Sequence, residues 1–101
     1  MEVIEIKENE FKEKIKKGKV LVDCYATWCG PCRMLSPIID DLAGEREDTE
    51  FYKLDVDDAE NICKEYGIMS IPALLLFKDG KLVTKSVGLK QKDELEEMLN
   101  D

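Results

Sequence analysis

The feature that most constrains the fold is the alternation of two hydrophobic periods along the chain. Three short apolar runs have the length of strands: Val3–Ile6, Val20–Tyr25 and Phe51–Val56. Between the last two, apolar residues recur at i, i+3, i+4 and i+7, the spacing of one helix face: Leu35, Ile38, Ile39 and Leu42. An earlier helix is predicted from Asn9, as its N-cap, to Gly18. Strands that alternate with helices favour an α/β fold.

The second half of the chain predicts a helix, a hairpin and a final helix. Apolar residues at helical spacing predict a helix that ends near Tyr66. Two possible N-caps, Asp57 and Asp58, precede it. Two apolar runs are then joined by Asp79-Gly80, a pair typical of a two-residue hairpin turn. A last helix is predicted over 91–99. We therefore expect residues 1–101 to form one α/β domain with a mixed sheet and helices on both faces.

Composition excludes several functional classes. The 15 basic and 23 acidic residues give a net charge of -8 and are scattered, so we expect neither nucleic acid nor an anionic membrane as a partner. The start of the chain does not have the pattern of a secretory signal, and no window resembles a membrane span, so we expect a cytoplasmic location. The absence of histidine excludes imidazole-dependent hydrolase triads, His-ligated zinc and CxxCH haem attachment.

A pair of cysteines, Cys29 and Cys32, lies between a predicted strand and a helix expected to begin near Arg33. A helix N-terminus favours thiolate over thiol, so this pair predicts reversible thiol–disulfide chemistry. We expect Cys29, at the exposed tip of the turn, to attack and Cys32, one turn deeper, to resolve. Cys24 and Cys63 have no second CxxC spacing, so we expect no metal site.

Asp23 is unusual because it lies in the middle of a predicted strand, six positions before Cys29. If it is buried, desolvation raises its pKa, which suits a group that accepts the proton of Cys32. A solvent-facing aspartate at a strand edge is the alternative. Further along the chain, Ile71-Pro72 precedes a strand, and the general frequency of X–Pro bonds favours the trans form.

Several separated motifs are similar to those of the thioredoxin family. They occur in order along the chain: Val22-Asp23, Ala26-Thr27-Trp28-Cys29-Gly30-Pro31-Cys32 with Pro37 beyond, Lys53-Leu54-Asp55-Val56-Asp57, Tyr66-Gly67-Ile68, Ile71-Pro72, Leu75-Leu76-Phe77 before Asp79-Gly80, and Val87-Gly88. Each motif is weak alone, but the ordered set is specific. The resemblance extends from about Val3 to Leu99. The chain departs from the family at Cys24, which replaces a bulky aromatic residue, at Tyr25, where Trp is common, and at Ala73, where Thr commonly follows the proline.

The resemblance implies a thioredoxin fold, with a mixed five-stranded sheet and four helices on both its faces. It also implies that Pro72 is cis and faces the cysteines, contrary to the general frequency. Lys53 is implied to form an ion pair with Asp23, or to approach it closely, and so to tune it. A shallow substrate groove is implied at seven residues: Trp28, Gly30, Pro31, Ile71, Pro72, Val87 and Gly88. Cys63 lies on an apolar stripe and is predicted to be a buried small residue rather than a regulatory thiol.

The function that the resemblance implies is general protein disulfide reduction through a reversible Cys29–Cys32 disulfide. The implied partners are thioredoxin reductase and disulfide substrates such as ribonucleotide reductase, peroxiredoxin and methionine sulfoxide reductase, with the protein acting as a monomer and without a cofactor. Two alternatives stay open: an oxidative-folding dithiol catalyst, which typically has His between the cysteines, and a non-catalytic redox-sensing or binding module. Whether the chain is an enzyme or an electron carrier is also left open.

Overall fold

A five-stranded sheet forms the centre of the molecule in a computed structural model that describes residues 1–100. Its strands are β1 (Val3–Ile6), β2 (Lys19–Tyr25), β3 (Thr49–Asp55), β4 (Ala73–Lys78) and β5 (Lys81–Val87). They lie in the order β1-β3-β2-β4-β5. The first three are parallel, whereas β4 runs antiparallel to β2 and β5 antiparallel to β4. The predicted mixed sheet is confirmed.

Four α-helices cover the sheet, with two short 3-10 turns at Glu8–Glu10 and Val56–Asp58. The helices are α1 (Phe11–Lys14), α2 (Gly30–Glu45), α3 (Glu60–Tyr66) and α4 (Lys92–Leu99). Residues of α1 and α3 share a buried cluster with Val22 and Leu75 of the sheet. Residues of α2 and α4 share another with Leu21 and Leu74. Because side chains alternate along a strand, these clusters lie on opposite faces of the sheet, as predicted.

The hairpin predicted at Asp79-Gly80 joins β4 to β5 through those two residues. Both have positive φ, 50° at Asp79 and 86° at Gly80, as a type I′ turn requires. The Asp79 side chain also accepts a hydrogen bond of 2.8 Å from the Gly18 N–H. Because the geometry of the turn depends on two adjacent residues, the turn could be predicted from that pair in the sequence.

Two predicted sets of helix N-caps are wrong. The segment after Asn9 is a 3-10 turn followed by a single α-helical turn that ends at Lys14, and Asn9 caps neither. Asp57 and Asp58 belong to a 3-10 turn and do not cap α3. Glu8, 54 residues away, supplies a carboxylate oxygen 3.0 Å from the Ile62 N–H in the first turn of α3. A cap from a distant segment cannot be predicted from local spacing.

Candidate active site

The two cysteines lie where the chain leaves β2 and enters α2. This helix begins at Gly30, not near Arg33 as predicted, so Cys29 is its N-cap residue and has an extended backbone, with φ -91° and ψ 112°. The Cys32 N–H lies 3.2 Å from Cys29 Sγ, and this sulfur accepts its hydrogen bond. A disulfide joins the two residues, whose Cα atoms are 5.3 Å apart. The predicted pairing is therefore present.

Exposure does not distinguish the two sulfurs, because Cys29 is 5% exposed and Cys32 is 4% exposed. The prediction that Cys29 lies at an exposed tip is wrong, since Ala26, Tyr25, Val56 and Ile71 pack around the pair. The difference between the sulfurs is their position on the helix. Cys29 Sγ accepts from an N–H of the first turn, where the helix dipole stabilises negative charge.

Asp23 lies in the interior of β2 and is only 5% exposed. Its Oδ1 is buried and has no hydrogen-bond partner among residues 1–100. Desolvation by burial raises the pKa of this carboxyl to about 7, with a smaller raising contribution from the negative charge of Asp40. The alternative of a solvent-facing aspartate is wrong.

Lys53 is the register partner of Asp23 on the adjacent strand β3. Its positive charge lowers the pKa of Asp23 and partly opposes the effect of burial. The two side chains approach each other, but no direct ion pair joins them within residues 1–100. Both line a cavity of about 140 Å³ that also reaches Cys32 and Ser36. The structure thus places Asp23, Lys53 and Cys32 around one cavity.

The segment before β4 forms the wall of the site that faces the cysteines. The Ile71–Pro72 peptide bond is cis, as the resemblance implied and contrary to the general frequency. The Ile71 carbonyl oxygen lies 4.0 Å from Cys29 Sγ. The Gly88 N–H donates a hydrogen bond of 2.8 Å to the Pro72 carbonyl, which connects the loop after β5 to this wall.

Two of the predicted groove positions, Trp28 and Val87, have exposed apolar side chains. Trp28 is 66% exposed, and its Nε1–H donates to Asp57 Oδ2 at 2.8 Å, which fixes the indole beside the cysteines. Val87 is 46% exposed. An added Cβ at Gly30 would meet no atom closer than 4.0 Å, so glycine leaves this surface open. Trp28 thus adds an exposed apolar surface next to the largely buried disulfide.

Three features near the site were not predicted. Met69, 95% exposed, lines a second cavity of about 380 Å³ with Trp28 and Ile71. Cys63 also lines this cavity and is partly exposed rather than buried, so its interpretation as a core residue is wrong. The Tyr25 hydroxyl donates to Glu5 at 2.6 Å, a contact that depends on the strand order. Of these three features, only the exposure of Met69 could have been predicted from the sequence. Met69 lies in the connecting segment after a predicted helix, and connecting segments usually run over the protein surface.

Residues 1–100 lack two kinds of feature. This part of the chain contains no group of three or more Cys, Asp or Glu side chains arranged to hold a metal ion. Its longest helix, α2, has 16 residues, and none of its helices is long and apolar enough to span a membrane.

Comparison with known proteins gives a consistent result. The thioredoxin family model matches residues 2–101. Thioredoxin from Staphylococcus epidermidis is 43% identical over 101 residues, covering 99% of this chain and 97% of that protein. Thioredoxin from Chlamydia muridarum is 45% identical over 95 residues, covering 94% and 93% of the two chains.

Solved structures agree with the sequence matches. A mutant thioredoxin from Halobacterium salinarum superposes with a TM-score of 0.89 at 37% identity, covering 98% of this chain and 88% of that one. A chain from a study of thiol resolution in a yeast mitochondrial one-cysteine peroxiredoxin, via glutathione and thioredoxin systems, has a TM-score of 0.90 at 36% identity, with coverages of 98% and 94%. With the disulfide at the start of α2 and the matches along nearly the whole chain, this protein belongs to the thioredoxin family.

Proposed function

We propose that this protein reduces disulfide bonds in other proteins by exchange through its own cysteine pair. The observation that carries the proposal is the Cys29–Cys32 disulfide, closed at the N-terminus of α2 and facing the Ile71-Pro72 wall. Family membership supports the same chemistry. Thioredoxins act with thioredoxin reductase and with disulfide substrates, and we assign these two classes of partner to this chain.

In the first step the Cys29 thiolate attacks one sulfur of a substrate disulfide. A mixed disulfide forms between Cys29 and the substrate, and the other substrate sulfur leaves as a thiolate that takes a proton from solvent. The hydrogen bond from the Cys32 N–H to Cys29 Sγ and the dipole of α2 both stabilise the attacking thiolate. This support is the reason for assigning the attack to Cys29.

In the second step Cys32 resolves the mixed disulfide. Its thiol gives a proton to Asp23, and the resulting thiolate attacks Cys29 Sγ, which closes the Cys29–Cys32 bond and releases the second substrate thiolate. The cavity between the two groups, about 140 Å³, is large enough for water to relay the proton. An acceptor with a pKa near 7 suits this task at neutral pH. Lys53 tunes Asp23, and the reductase later returns two electrons to the pair.

The substrate segment binds in the groove beside the disulfide. Apolar contact with the exposed ring of Trp28 and with Val87 gives little side-chain selection, which fits a broad range of substrates. The remaining positions that we propose for the groove are Gly30, Pro31, Ile71, Pro72 and Gly88. Ribonucleotide reductase, peroxiredoxin and methionine sulfoxide reductase are the substrates that we propose, for a single-domain monomer acting in the cytoplasm.

Reduction of insulin by a dithiol reductant tests the proposal. The wild-type protein should accelerate the reaction, Cys29→Ser should abolish the acceleration, and Cys63→Ser, a matched substitution outside the pair, should keep it. No acceleration over the reductant alone would favour a non-catalytic binding or sensing module. A reduction potential in the range of oxidising folding catalysts would instead favour the alternative of an oxidative-folding dithiol catalyst.

A further inference from the structure

Three charged side chains form one row across the sheet beside the active site. Glu5 of β1 and Asp23 of β2 are both register partners of Lys53, which lies between them on β3. Cross-strand partners project from the same face of a sheet, so the three side chains share the face covered by α2. Lys53 therefore stands between an exposed carboxylate at the sheet edge and a buried one beside the cysteines.

Lys53 forms no direct ion pair with either carboxylate within residues 1–100. Tyr25 contacts both Glu5 and Lys53. The Tyr25 hydroxyl donates a hydrogen bond of 2.6 Å to Glu5 Oε2. The Nζ atom of Lys53 lies 5.9 Å from the centre of the Tyr25 ring, within the range of a cation–π interaction. One side chain thus engages Glu5 and supports Lys53 at the same time.

We propose that Tyr25 is a positioning residue that occupies Glu5 with its hydroxyl and thereby keeps the Lys53 ammonium group directed toward Asp23. The inference rests on the proposed role of Asp23 as the proton acceptor for Cys32. The tryptophan that the family commonly has at this position carries no hydroxyl, so this hydrogen bond to Glu5 depends on the tyrosine.

The consequence is electrostatic. Burial and Asp40 raise the pKa of Asp23, whereas Lys53 lowers it. Without the tyrosine hydroxyl, Glu5 becomes free to attract Lys53 to the sheet edge, so the pKa of Asp23 should rise. The other titratable or charged side chains facing Asp23 or Tyr25 are Cys32 and Arg33 on the cavity wall and Asp55 beside the ring.

Titration of the Asp23 carboxyl by carbon-13 NMR tests the inference directly. The oxidised protein is used, so that the active-site thiols do not titrate, and the Asp23 signal is assigned by its loss in Asp23→Asn. In Tyr25→Phe, which keeps the ring and removes the hydroxyl, the midpoint should move upward by about half a pH unit. In Tyr25→Phe combined with Glu5→Gln it should return toward the wild-type value. An unchanged midpoint in Tyr25→Phe overturns the inference.

Lys53→Met provides the control background. Because the lysine charge transmits the effect of Tyr25, Tyr25→Phe should not change the Asp23 titration midpoint in the Lys53→Met background. A movement of the same size would show that Tyr25 acts through packing alone, which also overturns the inference.

Single-turnover kinetics separate this inference from the proposed function. The pH dependence of substrate release from the mixed disulfide should move upward with the NMR midpoint. If the midpoint moves and the kinetic profile does not, the positioning role of Tyr25 stands and the role of Asp23 as proton acceptor fails.

Discussion

The buried Asp23 carboxyl should make the stability of this protein fall with rising pH. Its pKa is about 7 in the fold and about 3.9 in an unfolded chain. The folded state therefore holds the proton more tightly, and the resulting stabilisation is complete below about pH 4 and is lost as pH rises through about 7. Since a tenfold change in proton affinity is worth about 1.4 kcal/mol, the loss of unfolding free energy between about pH 4 and about pH 8 is about 4 kcal/mol.

Urea unfolding of the oxidised protein across this pH range measures the effect. Other titrating groups are shared by the wild-type protein and Asp23→Asn, so the difference between their unfolding free energies isolates Asp23. The unfolding free energy of Asp23→Asn, relative to that of the wild-type protein, should increase by about 4 kcal/mol from about pH 4 to about pH 8. The oxidised form is chosen because its disulfide sulfurs do not titrate.

Asp58→Asn provides a matched control, because it makes the same chemical change at an exposed position. It measures how far the change from aspartate to asparagine alone alters the unfolding free energy outside the buried site. Parallel curves of unfolding free energy against pH for Asp23→Asn and the wild-type protein would refute the reasoning, since they would mean that Asp23 titrates alike in the folded and unfolded states.

Substitutions at three positions test the packing and capping that hold the site in place, each by the change in unfolding free energy. Glu8→Ala removes the carboxylate that accepts from the Ile62 N–H and should cost about 1 kcal/mol, whereas Glu8→Gln, which keeps an acceptor oxygen, should cost less. Gly67→Ala should cost about 1 kcal/mol, because this residue ends α3 with φ 63°; an unchanged stability would contradict the strain argument. Phe77→Ala should cost about 3–5 kcal/mol, because the ring is fully buried and packs edge-on against Phe11.

The sequence alone was sufficient where the information is local. The turn at Asp79-Gly80 depends on two residues that adopt positive φ, and the burial of Asp23 follows from its place in an apolar strand. The cis form of the Ile71–Pro72 bond was different, because the general frequency favours trans and only the family resemblance indicated cis.

Features that join distant segments could not be predicted in this way. The cap that Glu8 provides to α3 spans 54 residues. The row from Glu5 through Lys53 to Asp23 exists only because β3 lies between β1 and β2, and hydrophobic periodicity does not specify strand order. The near-equal burial of Cys29 and Cys32 also depends on residues brought in by folding, which is why the expected exposure of the first cysteine was wrong.

The central claim is that Cys29 attacks and Cys32 resolves. Incubation of reduced Cys32→Ser with a disulfide-containing peptide, followed by peptide mapping with mass spectrometry, tests it most directly. The account predicts a stable mixed disulfide on Cys29 in this variant and no stable adduct in the wild-type protein, where Cys32 releases the peptide. No adduct on Cys29, or adducts only on Cys24 or Cys63, would contradict the account.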